Sequence, residues 1–477
     1  MRHLICLLLA VAVCAGEAKP VAYQPVDWSA APPGPVGHTA STELRHPVTR
    51  SLVMRYQVYA PAVLPSERTL GLIVGFHGLN GDENAAQAGY WPMKRLGLDG
   101  GYVCAGGKSQ GNGWALADEE RLLQFVDWLL AVYPIDRRRV FYWGHSNGGW
   151  AVGTFGPRHA DRVAGVVRYS GYGGLSGGRP AGETPPLEWY LVHGDIDPVV
   201  KVSGSRNLRL ELLAGGHRFV YREIIGADHG NDLLWNKPVM DDAARWLDGL
   251  RHKTILPGET DVAFLKGLAK AKEPELDGQL AATDTWQRLV RIGGPHAWSV
   301  AMKAAKSKDA QVRTAFATAC ADVAFSADPA MAALAKLLGD TDAGVRAAAI
   351  AALGVHANWR GLPAQAALAR FASDRKADAG ERVAAATALA AVLTLPLQGN
   401  LADDVPAIDG VLNLLDSDAE AVRTAVAAPL RIAAPDGFGY DPAAPPAARK
   451  AAIARCRTWF AERAGSGPSE AKTAKRR

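Results

Sequence analysis

The sequence predicts an α/β fold with a doubly wound, mostly parallel sheet, followed by an all-α region of helical repeats. Two observations carry this reading. From about residue 46 to 252, short apolar runs alternate with amphipathic stretches, the order of strands and helices packed in layers. After "HKTILPGET" the composition turns alanine-rich and one phrase recurs: "DAQVRTAFATA", "DAGVRAAAIAAL", "DAGERVAAATAL" and "DAEAVRTAVAAPL". With 477 residues, the chain has room for two or three domains, each able to bury its own core.

The elements follow in chain order. "MRHLICLLLAVAVCAGEAKP" places Arg2 before an apolar run and small residues at Ala15 and Ala18, the pattern of a cleaved secretory signal over residues 1–18. The run is too short for a permanent membrane span, so no stable membrane insertion is expected, and the destination is secreted or periplasmic. A lipid anchor on Cys14 is disfavoured, because Val13 stands where a small residue belongs. Residues 19–45 read as a linker. Within 46–252 the expected strands are "LVMRYQVYA", "TLGLIVGF", "GYVCAG", "RVFYW", "RVAGVVRY", "EWYLVHG" and "RFVYREII". "DEERLLQFVDWLLAVY" has apolar residues at helical spacing, and "SRNLRLELLAGG" ends in a glycine pair that stops a helix.

Residues 253–280 read as a second linker and 281–462 as helical repeats. The leading aspartates Asp309, Asp342, Asp378 and Asp418 lie 33, 36 and 40 residues apart, the period of a helix-pair solenoid, and each is expected to cap a helix. This part resembles HEAT repeats. Residues 463–477, ending "KTAKRR", read as a basic disordered tail. The net charge of +5 is mild for the length, so no nucleic-acid partner is expected. Cys104, Cys320 and Cys456 are widely separated, which gives neither a disulfide framework nor metal-ligand spacing, and no cofactor or metal is expected.

The chemistry-bearing pattern G-x-S-x-G occurs twice, at "GHSNG" around Ser146 and "GLSGG" around Ser176. Context separates them. Ser146 follows the buried run "RVFYW" and precedes "GGWAVGTF", which can open a helix. Such a strand-to-helix turn projects the serine into a cleft with a positive helix end behind it. Ser176 precedes "GGRPAGETPP", which continues as a loop. Serine needs a base, and the base an orienting acid. "LVHGDIDPVV" offers Asp195 and Asp197, and "IIGADHGND" offers His229. An extended segment places both carboxylates on one side, so alternation leaves the two open. Pro198 gives Asp197 a restricted, extended backbone.

The phrases "FHGLNGDEN", "YPIDRRRVFYWGHSNGG", "HGDIDPVV" and "GADHG" make residues 46–252 resemble the α/β-hydrolase family. The likeness is greatest to polyhydroxybutyrate-depolymerase and feruloyl-esterase-like enzymes and to the phospholipase/carboxylesterase branch. The resemblance implies Ser146 as nucleophile, His229 as base and Asp197, which immediately precedes "PVV"-like residues, as the acid. It also implies that the backbone N–H groups of Leu79 and Asn147 form the oxyanion hole. His77, His145 and His193 are read as structural, and Trp91, Trp114 and Trp235 as pocket or core residues. The stretch 171–186 is short and polar, which suits an open cleft and polar or polymer-linked esters.

The expectation is an exported serine hydrolase cleaving carboxylic esters through an acyl-enzyme, with a protein or polymer partner on the repeats. A repeat scaffold with a silent hydrolase domain, or a peptidase of prolyl-oligopeptidase type, are the alternatives.

Overall fold

The computed structural model describes residues 23–175, 187–215, 217–224, 226–230, 237–321, 328–357, 362–393, 401–433 and 436–465. The signal at 1–18, Ser176 and Trp235 lie outside them. Among the described residues, no helix is long and apolar enough to cross a membrane.

Among the described residues, nine strands form one sheet: β1 (Gly37–His38), β2 (Thr42–Arg45), β3 (Leu52–Ala60), β4 (Leu70–Phe76), β5 (Tyr102–Gly107), β6 (Ile135–His145), β7 (Gly165–Tyr169), β8 (Glu188–Gly194) and β9 (Phe219–Ile224). Their order is β1-β3-β5-β4-β6-β7-β8-β9, with β2 also paired to β3. Pairing from β5 through β9 is parallel, and β3 joins antiparallel. This is the doubly wound, mostly parallel sheet expected of an α/β-hydrolase. All seven strands expected from the sequence are present. β1 and β2 arise earlier, inside the segment read as a linker, where register with β3 gives even short runs a partner.

Alternation along each strand builds two core faces. On one, Val140, Tyr142, Val166 and Leu191 meet apolar residues of α2 (Glu119–Val132), α3 (Asn147–Arg158) and α4 (Val202–Ala214). On the other, Phe141, Trp143, Val167 and Val192 meet α1 (Ala86–Arg95) and α5 (Lys237–Asp248). Strands covered on both sides must be apolar at every position, which is why they read as continuous runs.

The N-terminal end of α2 and the C-terminal end of α3 share a buried polar cluster. Glu119 accepts from Arg158 Nε at 2.6 Å and lies 3.2 Å from His159 Nε2, while His159 Nδ1 is 3.0 Å from the Tyr142 hydroxyl. Burial opposes ionisation of Glu119, but the hydrogen bonds from His159 and Arg158 outweigh it and bring its pKa down to about 2. Burial also lowers His159, so that ring is neutral near pH 7 and Arg158 is the charged partner.

Both folded-state values lie below their ordinary ones, so the unfolded chain binds more protons in acid. The stability from these groups is therefore complete above about pH 6.5 and falls with pH, Glu119 contributing its loss between about 4.5 and 2. Glu119→Gln removes the carboxylate that Arg158 and His159 share in this buried cluster and is expected to destabilise the fold by about 3 kcal/mol near neutrality. Thermal midpoints at pH 7 and pH 3 check this: the gap between wild type and variant should narrow in acid, and an equal gap at both would refute the assignment.

After residue 258 the described residues are mainly helical: α6 (Glu259–Lys270), α7 (Glu275–Ala281), α8 (Thr283–Ile292), α9 (Gly294–Ala304), α10 (Ala310–Ala319), α11 (Asp328–Leu337), α12 (Ala343–Ala357), α13 (Leu362–Ser373), α14 (Ala379–Ala390), α15 (Leu401–Leu414), α16 (Glu420–Ala433) and α17 (Pro446–Gly465). α6 and α7 occupy the expected second linker, because Leu265, Leu268, Leu276 and Leu280 join the helical core. α10, α12, α14 and α16 pack in succession as one layer, and α11, α13, α15 and α17 as the other.

The recurring phrase has a clear structural use. Asp309 and Asp378 cap their helices, accepting N–H bonds from Gln311 and from Gly380 and Glu381, and Asp342 accepts from Val345 N at 3.0 Å. Asp418 departs from the expectation. α16 begins two residues after it, so Asp418 sits outside the cap position and instead binds Arg382 Nη2 at 2.8 Å. The arginines of the first three phrases reach the next repeat: Arg313 to Asp340, Arg346 to Glu381 and Arg382 to Asp418.

The two regions meet through arginines that cap a helix end. Arg138 Nη1 donates to Ile292 O at 2.7 Å and Arg251 Nε to Arg291 O at 3.1 Å, satisfying terminal carbonyls of α8. Arg138 stands near the start of β6 and Ser146 follows its end, a separation of roughly 26 Å at ordinary strand rise.

Candidate active site

β4 lies between β5 and β6, so the chain leaves its carboxyl end in one direction and returns on the other side. Clefts open at such reversals, outside the carboxyl ends of the strands. Ser146 stands there, between β6 and α3, with φ 57° and ψ −118°. That conformation is strained for a residue with a side chain and is held by flanking contacts. Ser146 N donates to Tyr169 O at 3.0 Å, and Trp150 N donates to Ser146 O at 3.0 Å. The two glycines of the pattern permit the close approach: a Cβ on Gly144 would overlap the Gly148 carbonyl, and one on Gly148 the Phe76 carbonyl.

His229 comes from the loop after β9 and Asp197 from the loop after β8. Ser146 Oγ is 2.9 Å from His229 Nε2, and His229 Nδ1 is 2.7 Å from Asp197 Oδ2. Asp197 Oδ1 accepts from Val199 N and Val200 N, both at 2.8 Å. Burial alone would raise the Asp197 pKa, but the His229 bond and the two backbone N–H groups hold it below the ordinary carboxylate value. Asp195 turns elsewhere: its Oδ1 accepts from Gly226 N at 2.7 Å, bracing the loops after β8 and β9. The two carboxylates left open by alternation are thus separated by the turn.

Leu79 and Asn147, the expected oxyanion donors, line one cleft with Ser146, Tyr172, Val199 and Lys201, about 470 Å³ in volume. Among the described residues, neither backbone N–H meets a hydrogen-bond acceptor. Asn147 opens α3, so its N–H carries the positive end of the helix dipole. The Leu79 loop is braced from behind. Ser109 N donates to His77 Nε2 at 3.1 Å, which leaves the ring proton on Nδ1 to donate to Gly78 O at 2.7 Å. Asn80 N donates to Asn112 O at 2.6 Å.

The other histidines also serve the geometry. His145 Nε2 donates to His229 O at 2.7 Å, and burial lowers its pKa to about 4, so a neutral ring supports the His229 loop. The ring of His145 packs 4.8 Å from that of His229. His193 Nε2 donates to Val200 O at 2.9 Å and lies 3.1 Å from Asp197 Oδ2, while its Nδ1 accepts from Ser205 Oγ at 2.7 Å. Trp114 is buried against Phe76 and His77, and Trp91 is exposed on α1.

No family model matches the chain, and no curated protein matches it. Among solved structures, it is similar to a thermostable esterase with 20% identity over 44% of this chain and 63% of the other, at a TM-score of 0.38. The chain therefore spans less than two thirds of that protein's length. It is also similar to an S-formylglutathione hydrolase from Staphylococcus aureus, with 16% identity over 45% of this chain and 98% of that one, at a TM-score of 0.36. An acylaminoacyl peptidase of Pyrococcus horikoshii shares 12% identity over 47% and 43%, at a TM-score of 0.34. The distances around Ser146, not these likenesses, carry the chemistry of the site.

Proposed function

We propose that the chain is a serine hydrolase that cleaves carboxylic esters through an acyl-enzyme intermediate. The supporting observation is the unbroken hydrogen-bond line from Ser146 through His229 to Asp197. His229 Nε2 takes the Ser146 proton as Oγ attacks the ester carbonyl. The oxyanion of the tetrahedral intermediate is held by the N–H groups of Leu79 and Asn147. Asp197 stabilises the imidazolium and fixes its tautomer. His229 then gives the proton to the leaving alcohol, activates water against the acyl-serine, and Ser146 is restored as the acid departs.

An intact line of three groups favours this over a silent domain serving a repeat scaffold. Export, suggested by residues 1–18, belongs to the same proposal, as does a HEAT-like role for the repeats as a docking face for a protein or polymer partner. Polyhydroxybutyrate or feruloyl esters are the substrate classes suggested by the resemblance of "FHGLNGDEN" and "GHSNGG". The test is labelling of the full chain with a fluorophosphonate, followed by acetyl, feruloyl, hydroxyalkanoate and peptide substrates. Absence of labelling refutes the serine mechanism, and labelling with peptide turnover alone replaces the esterase by a peptidase.

A chain ending at residue 252 should keep hydrolysis of a small soluble ester, since the catalytic candidates lie at the opposite end of the sheet from Arg138. It should melt several degrees lower, because Arg138 and Arg251 lose the carbonyls they cap. Circular dichroism and ester rates check both halves; a folded but inactive product would place the repeats in the active site.

A further inference from the structure

Tyr172 follows β7, lines the cleft and is 42% exposed. Its hydroxyl is oriented by Asn147, and the direction of that bond can be deduced. Trp114 N donates to Asn147 Oδ1 at 2.5 Å, which fixes the carboxamide with its oxygen on Trp114. Gly113 leaves the space for this, since a Cβ there would fall 2.6 Å from Asn147 Oδ1. The Nδ2 end therefore faces Tyr172, and it donates to the hydroxyl oxygen at 2.8 Å. A phenol has one proton to give. With its oxygen already accepting from Asn147, and no acceptor for its proton among the described residues, that proton is left for the cleft.

The loop carrying Tyr172 is pinned on both sides. Arg168, 1% exposed, donates through Nη2 to Gly173 O at 2.8 Å, and Glu211 Oε2 accepts from Leu175 N at 2.9 Å. Gly171 and Gly174 let these two side chains close on the loop, because a Cβ at either would collide with Arg168 Nε or the Glu211 carboxylate. The ring of Trp150 faces that of Tyr172, tilted by 20°. The hydroxyl is therefore held against Asn147, in the cleft that Ser146, Leu79 and Val199 also line.

We infer that Tyr172 is a substrate-contacting donor that selects esters carrying a second oxygen acceptor close to the scissile carbonyl. The inference rests on the serine-hydrolase reading of the cleft and adds to it a preference within the acyl group. An ether, hydroxyl or second carbonyl oxygen at that position receives the Tyr172 proton; a methylene there leaves the donor desolvated without a partner.

The test uses the full chain, Tyr172→Phe, and two p-nitrophenyl esters that differ by one atom, butyrate and methoxyacetate. Comparing wild type with variant on each ester removes their different intrinsic reactivity. The variant should lose about tenfold in kcat/KM on methoxyacetate and less than about twofold on butyrate, with an unchanged thermal midpoint. Equal losses on both esters, or no loss on either, overturn the inference while fluorophosphonate labelling of Ser146 still supports the hydrolase. A wild-type chain that neither labels nor turns over either ester overturns both readings.

Discussion

Replacing Ser146 by alanine is expected to eliminate fluorophosphonate labelling and to lower ester turnover by about six orders of magnitude, to the background of the assay. The size follows from what the hydroxyl does. In the proposed mechanism Ser146 Oγ is the group that forms the acyl bond, and His229 Nε2 lies 2.9 Å from its oxygen. Without it, the proposed mechanism leaves His229 only water to activate. The fold should survive, because the strained backbone at φ 57° does not depend on Oγ. Its supports are the backbone bonds to Tyr169 and Trp150 and the close packing at Gly144 and Gly148. Ser176→Ala should leave labelling and rates within about twofold, since the sequence "GGRPAGETPP" that follows it does not carry the pattern of a helix. Measurement is by gel-based probe labelling and p-nitrophenyl ester kinetics on variants matched by circular dichroism. Labelling that persists in Ser146→Ala and vanishes in Ser176→Ala would move the nucleophile.

Much of this site was legible because its members sit where apolar runs end. Ser146, Asp197 and His229 each follow a strand covered on both faces, so a run such as "RVFYW" or "EWYLVHG" marks both a strand and the place where a side chain can leave the sheet. The supporting contacts were less legible, since they join residues distant in sequence. Tyr172 depends on Asn147, Asn147 on Trp114, and the Leu79 loop on Ser109 and Asn112; no local period encodes these pairs. The two short strands before residue 46 escaped because two to four residues carry too little alternation to register. α6 and α7 escaped because their apolar residues are sparse, and become a core only against neighbouring helices. At Asp418 the phrase was right and its offset was not: a delayed helix start turned an expected cap into an ion pair.

Asp197→Asn is expected to stay folded and lose about four orders of magnitude in turnover, while Asp195→Asn stays within about threefold of wild type and melts a few degrees lower. The amide at 197 has little choice of orientation. Val199 N and Val200 N both donate to Oδ1, so the amide oxygen must remain there and the amide nitrogen must take the place of Oδ2. That nitrogen then donates to His229 Nδ1, across the 2.7 Å where the carboxylate now accepts. His229 is driven to carry its proton on Nε2, which presents N–H to Ser146 Oγ instead of the lone pair a base requires. The same nitrogen also meets His193 Nε2, 3.1 Å from Oδ2, whose proton is already directed toward Val200 O. An acceptor has become a donor between two histidines, and the negative charge that would stabilise the His229 imidazolium is gone. At 195 the change is mild, because Gly226 N donates to Oδ1 and an amide oxygen accepts the same bond. Rates of p-nitrophenyl ester hydrolysis and thermal midpoints of both folded variants decide the matter: a large loss at 195 with near-normal turnover at 197 would transfer the acid's role to Asp195.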